Sequence, residues 1–76
     1  MSDVTIEYCV PCGFLNRAQD IQGQLLQQFG QELDSVALVT GDHGVLRVDI
    51  DGETVYDKEE DEYDLDEITR RVKAQL

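Results

Sequence analysis

The sequence predicts an α/β (α+β) domain in which one four-stranded mixed sheet carries two helices, in the order βαβββα. Three observations predict it. Apolar residues alternate with polar ones over residues 3–8 and 46–50, the spacing of strands with one buried face. They recur at steps of three and four from Phe14 to Phe29 and from Leu65 to Leu76, the spacing of amphipathic helices. Asp51-Gly52 between two strand-like runs is a strong short-range hairpin signal.

In the first strand Val4, Ile6 and Tyr8 face one way and Thr5 and Glu7 the other. It should end near Cys9, because Pro11 cannot donate to a ladder and suits the first turn of a helix. The helix that follows places Phe14, Leu15, Ala18, Ile21, Leu25, Leu26 and Phe29 on one stripe. Gly23 inside it costs up to about 1 kcal/mol against alanine, and Gly30 stands where a left-handed cap favours glycine. Val36-Ala37-Leu38-Val39 is an unbroken apolar run too short for a helix. It reads as a strand buried on both faces at the centre of the sheet. Strand, helix and strand then form a right-handed unit with the two strands parallel.

Gly41-Asp42-His43-Gly44 is turn chemistry, after which Leu46, Val48 and Ile50 alternate with Arg47 and Asp49. The hairpin returns the chain as a fourth strand, Glu53 to Asp57. The acidic run Glu59 to Glu62 reads as a solvated loop. Asp64 opens the last helix with Glu67 three residues on, close to a capping box. Leu65, Ile68, Val72 and Leu76 form its buried stripe, with Arg70, Arg71 and Lys73 toward the C-terminal end, where they complement the helix dipole.

Residues 1–76 are expected to form a single domain. A chain of 76 residues buries only roughly 60% of the surface its unfolded form exposes, so chemistry is expected at an exposed edge, carried by few residues. The charge is extreme: 17 acidic residues against 6 basic ones, net -11, with a pI near 4.1. Such a surface repels phosphate backbones and anionic lipid, which argues against nucleic-acid and membrane partners. Acid-rich and lysine-poor, it looks like the surface of a salt-adapted, halophilic cytoplasmic protein, because molar salt shortens the Debye length to about 3 Å and screens the self-repulsion. The opening residues alternate where a signal peptide would be uniformly apolar, and no stretch approaches the roughly 20 apolar residues of a membrane span.

The chemistry-bearing motif is Cys9-Val10-Pro11-Cys12 at the junction of first strand and first helix. Two intervening residues bring the sulfurs within disulfide reach. The unpaired N–H groups and positive dipole end of a helix favour a thiolate, the attacking species in thiol–disulfide exchange. Arg17 is the nearest basic residue in sequence and could offset the surrounding negative field; an ordinary solvated arginine is the plainer reading. Tyr8 and Phe14 flank the pair either as core residues or as a docking rim. Two thiolates at this spacing are also half of a tetrahedral zinc or a linear copper site, with His43 the one histidine available. A structural disulfide is the third reading, and a ring this small contributes little stability. No cofactor and no resident metal are expected for the redox reading.

The run Val4-x-Ile6-Glu7-Tyr8-Cys9-x-x-Cys12-Gly13, then Arg17-Ala18, Gly44 and Val48-Asp49-Ile50-Asp51-Gly52, resembles the Rdx family of selenoprotein W-like proteins over nearly the whole chain. The resemblance implies a thioredoxin-like fold and a thiol oxidoreductase role in cell redox homeostasis. Its partners would be protein or low-molecular-weight thiols and disulfides, and the chain a monomer or weak dimer. In selenocysteine-containing relatives the selenocysteine stands at the position of Cys12. General thioredoxin logic would instead make Cys9, expected to be the more exposed cysteine, the attacker. Thioredoxins also set a proline opposite their cysteines, and the only proline here is Pro11.

Overall fold

A computed structural model describes residues 2–76. Its elements are β1 (Ser2–Cys9), α1 (Leu15–Phe29), β2 (Leu33–Gly41), β3 (Leu46–Ile50), β4 (Glu53–Asp57) and α2 (Leu65–Ala74). The order βαβββα is the one the periodicities predict. The four strands form one mixed sheet in the order β2-β1-β3-β4, with β1 parallel to β2 and antiparallel to β3, and β3 antiparallel to β4.

β1 is the centre of the sheet. Val4, Ile6 and Tyr8 point to the face covered by the helices, where α1 lies over β1 and β2 while α2 packs against β4 and α1. Val4 and Ile6 are wholly buried, as are Ile21 and Leu25 of α1, Leu46 and Val48 of β3 and Ile68 of α2. The opposite face is open and polar. There Ser35 donates to Asp3 at 2.9 Å, Thr54 donates to Asp49 at 2.6 Å, and Arg47 bridges Glu7 and Asp49.

β2 is an edge strand, not a central one. Ala37 is exposed, Leu38 is half-buried and Val39 is 41% exposed. β2 ends at the edge because β3 pairs with the other side of β1 and no strand pairs with the outer side of β2. Only Leu33 and Val36 of β2 join the buried core. The side chain of Gln22 on α1 donates to the Val36 carbonyl at 2.7 Å, tying the helix to this edge.

The helix ends also differ from expectation. α1 begins at Leu15, so Pro11 lies in the preceding turn and outside the helix. Gly30 is right-handed at φ -55°, and the chain continues into a turn closed by the Glu32 N–H on the Phe29 carbonyl at 2.8 Å. Leu15, Leu26 and Leu76, expected on buried stripes, are 43%, 46% and 44% exposed.

The Asp51-Gly52 hairpin forms as its residues dictate, with φ of 51° and 83°, the pair of positive values that a tight two-residue turn of this hand requires. Asp64 caps α2 by accepting the N–H groups of Asp66 and Glu67 at 3.1 and 3.2 Å. Glu67 does not complete a capping box; its carboxylate takes Arg70 at 2.6 Å and Arg71 at 3.3 Å. Arg71 also binds Asp61 at 2.9 Å and the Val55 carbonyl at 3.1 Å. The acidic run is therefore not wholly solvated, since Asp61 fastens it to α2. These contacts hold the Asp61 and Glu67 carboxyls below their usual range and push the Arg70 and Arg71 guanidiniums up.

Candidate functional site

The cysteine pair sits where the central strand leaves the sheet. Cys9 is the last residue of β1 and is fully buried; Cys12 lies in the exposed turn that follows. The turn is tight because the N–H groups of Gly13 and Phe14 donate back to the carbonyls of Val10 and Cys9 at 3.1 and 3.3 Å. Gly13 takes φ 77° to close it, a value that costs a side-chain-bearing residue strain. Cys9 and Cys12 are joined as a disulfide, with α-carbons 5.3 Å apart, inside the usual span.

The exposures of the two sulfur-bearing residues reverse the order that thioredoxin logic suggests. Cys9 continues the backbone of a central strand and is enclosed. Cys12 is carried outward with Val10, which is 51% exposed, and Pro11. Three residues beyond Cys12 the helix α1 begins, with no side-chain cap at its N-terminus and no acidic residue in its first turn. Nothing in the first turn of α1 thus cancels the positive end of the helix dipole that faces the turn.

The flanking residues divide by role. Tyr8 is a core residue packed on the helix side of β1. Phe14 is half-buried at the edge of the core, and its ring receives Arg17 at 5.3 Å and Lys58 at 5.4 Å. Arg17 also stands 5.1 Å from the Tyr63 ring, so its guanidinium lies against two aromatic rings while the residue stays exposed. Burial pushes the Tyr63 phenol up, helped by Asp20 and opposed by Arg17. Tyr56 behaves likewise: burial and Asp61 push it up against Arg17, and its buried hydroxyl makes no hydrogen bond among the described residues.

The loop between β2 and β3 closes the other side of the site. The Cys9 N–H donates to the Val45 carbonyl at 2.7 Å and the Val10 N–H to the Gly41 carbonyl at 3.1 Å. His43 lies on this loop at φ 60°, with a side chain 91% exposed, 3.3 Å from Asp42. Among the described residues no three His, Cys, Asp or Glu side chains gather as a metal site. There are no cis peptide bonds among them, and the loop residue bonded to the Cys9 backbone is Val45.

The Rdx family model matches residues 3–74. The chain belongs to the Rdx family. An Rdx chain of this length superimposes closely on solved structures. A crystal structure from Bordetella parapertussis is 34% identical with a TM-score of 0.93, covering 99% of this chain and 98% of that one. A crystal structure of a selenoprotein W-related protein from Vibrio cholerae has a TM-score of 0.89 at 22% identity, covering 97% and 95% of the two chains. At that identity the second likeness speaks for the fold alone, and the shared arrangement is thioredoxin-like. No curated protein matches the chain. No helix among the described residues is long and apolar enough to cross a membrane. A family with this fold and a Cys9–Cys12 disulfide fits a thiol redox role.

Strand pairing sets three further residues beside the cysteine turn, and the sequence alone does not bring them together. Glu7 follows the same face of β1 as Cys9, pairs in register with Arg47 of β3, and accepts the Arg47 guanidinium at 2.7 Å. Gly41 pairs in register with Cys9. A β-carbon at Gly41 would lie 2.8 Å from Glu7 Oε2 and 2.8 Å from a Val45 methyl. Period-two alternation already places Glu7 and Cys9 on one face, but only the strand register brings Gly41 and Arg47 beside them.

Proposed function

We propose that this protein is a small thiol–disulfide redox protein of the cytoplasm that cycles Cys9 and Cys12 between dithiol and disulfide. Cys12 is the attacking sulfur and Cys9 the resolving one. The observation that carries this reading is the contrast in access: an exposed Cys12 on a turn before an uncapped helix N-terminus, bonded to a fully buried Cys9. A partner's sulfur reaches only the exposed member, and the helix end favours its thiolate. After Cys12 has formed a mixed disulfide, Cys9 displaces the partner, because the turn already holds the two within bonding distance.

The substrates are protein or low-molecular-weight disulfides that approach the exposed turn Val10 to Gly13. No cofactor is required for this exchange. The acid-rich surface suits a saline cytosol, and the chain works as a monomer or weak dimer. The test is the reduction potential of the Cys9–Cys12 pair in glutathione redox buffers at high salt, together with catalysed disulfide exchange. A potential within the range of cytosolic thiol couples, roughly -200 to -320 mV, is expected. A pair that never oxidises in such buffers, or that catalyses no exchange, would refute the reading.

A further inference from the structure

The resolving step poses a problem that the exposed step does not. Cys9 is fully buried, and a buried thiol yields its proton reluctantly because the thiolate loses its hydration. The closing of the disulfide therefore needs a proton acceptor inside reach of Cys9. From β1 itself the charged groups on the same face are Asp3 and Glu7, of which Asp3 stands at the far end of the strand and accepts from Ser35. From β3 come Arg47 and Asp49, from β4 Asp57, from the turn after it Lys58, whose ammonium lies over the Phe14 ring, from the loop Asp42 and His43, and from α1 Arg17. Asp42 and His43 pair with each other in solvent, their side chains 70% and 91% exposed. Asp57 faces β4's partner strand, one strand further from β1. Asp49 is drawn to Arg47 and Thr54. Arg17 lies against two aromatic rings.

Glu7 is placed differently from all of these. Its Oε1 is held by Arg47 at 2.7 Å. Its Oε2 has no hydrogen-bond partner among the described residues and lies 2.8 Å from where a β-carbon of residue 41 would stand. Gly41 is the residue opposite Cys9 in the parallel ladder, one strand spacing of about 4.8 Å away. Gly41 has no positive φ to explain it. What its missing side chain provides is room for the Glu7 carboxylate at the Cys9 end of the sheet.

We infer that Glu7 accepts the Cys9 proton during resolution, with Arg47 and Gly41 as the positioning residues that aim its carboxylate. The inference rests on the redox reading above. In the step, the Cys9 S–H proton passes to Glu7 Oε2 while Cys9 Sγ attacks Cys12 Sγ of the mixed disulfide. The Cys9–Cys12 bond forms and the bond from Cys12 to the partner sulfur breaks. The electron pair leaves on the partner as a thiolate, which takes up a proton from water, and Glu7 returns its own to solvent. The partner disulfide has gained two electrons and the cysteine pair has lost two.

Stopped-flow mixing of the reduced protein with stoichiometric dithiodipyridine separates the steps, since one thione leaves as Cys12 reacts and a second as Cys9 closes the ring. In Glu7→Gln the first phase should be no slower than in wild type. The second should slow on the order of a hundredfold near pH 7, the scale of a lost general base. That deficit should shrink as pH rises beyond the free-thiol value of about 8.5 toward the higher value of the buried Cys9, where solvent takes the thiol proton unaided. Gly41→Ala, whose methyl displaces the carboxylate, should slow the second phase in the same direction and spare the first. A second phase in Glu7→Gln as fast as wild type overturns the role of Glu7, and so does equal slowing of both phases. A wild-type protein that releases no thione overturns the redox reading itself and this inference with it.

Discussion

The backbone N–H of Cys9 donates to the carbonyl of Val45 at 2.7 Å, so the last residue of β1 hangs from the residue just before β3. Val10 repeats the arrangement one residue on, donating to Gly41 at the end of β2. Both bonds use backbone groups, so they depend on strand register and not on side-chain identity. The cysteine turn is thereby suspended from the loop that joins its two neighbouring strands, and Cys9 is fixed while Cys12 projects.

The unequal access of the two sulfurs predicts unequal reactivity. With Cys9→Ser leaving only Cys12, alkylation by iodoacetamide at neutral pH should be at least about tenfold faster than with Cys12→Ser leaving only Cys9, because an exposed thiol at a helix N-terminus is the more ionised and accessible one. Equal rates in the two folded variants would remove the basis for assigning Cys12 as attacker.

The core should be least forgiving at β1. Ile6 is wholly buried on the central strand between β2 and β3. Truncation in Ile6→Ala should cost about 2–5 kcal/mol through lost transfer energy and a residual cavity. Urea unfolding followed by circular dichroism measures it, and a domain this small has little stability in reserve.

Gly52 tests the hairpin independently of the site. At φ 83° a β-branched side chain is strained, and Gly52→Val should lose about 1–3 kcal/mol. The thiol reactions of the surviving folded protein should be unchanged, since the turn lies at the opposite end of β3 from Val45.

Arg71 sets a pH dependence with a definite sign. The Asp61 and Glu67 carboxyls are lowered below their ordinary values of 3.8 and 4.5, chiefly by hydrogen bonds to Arg71 for Asp61 and to Arg70 then Arg71 for Glu67. Groups whose folded pKa is depressed add stability that is fully present above the unfolded pKa and is lost as pH falls through the folded one. Arg71→Gln should therefore lower the thermal midpoint by a constant amount above about pH 5, and the gap to wild type should close as pH drops below those carboxyl values. The pairs remain partly open to solvent, so the gap should also shrink in high salt.

Much of this was legible in the sequence, and for physical reasons. Alternation of Val4, Ile6 and Tyr8 and the three-four spacing of Ala18, Ile21 and Leu25 report which side chains are buried, because burial is what those periods encode. Asp51-Gly52 was legible because few residue pairs tolerate two positive φ values. The place of β2 was not, since an apolar run such as Val36–Val39 does not reveal that β3 pairs with β1 and leaves β2 at the edge. The helix start was misplaced because Pro11 suits a turn as well as a helix N-terminus. Within the site the motif was plain, whereas Glu7, Arg47 and Gly41 come together only through strand pairing across 34 and 40 residues of chain.

The disulfide closes a ring with only two residues between its cysteines, while cohesion comes from β1 and the helices packed on its far side. Making or breaking that bond changes the unfolded chain's freedom very little. Loop closure therefore couples oxidation state to folding only weakly. What couples them is the environment of the two sulfurs, because a substitution at the turn that shifts the folded pair's potential shifts the stability difference between oxidised and reduced domain by the same free energy, about 1.4 kcal/mol for each 30 mV. The denaturation midpoints of the two forms should separate in step with the potential.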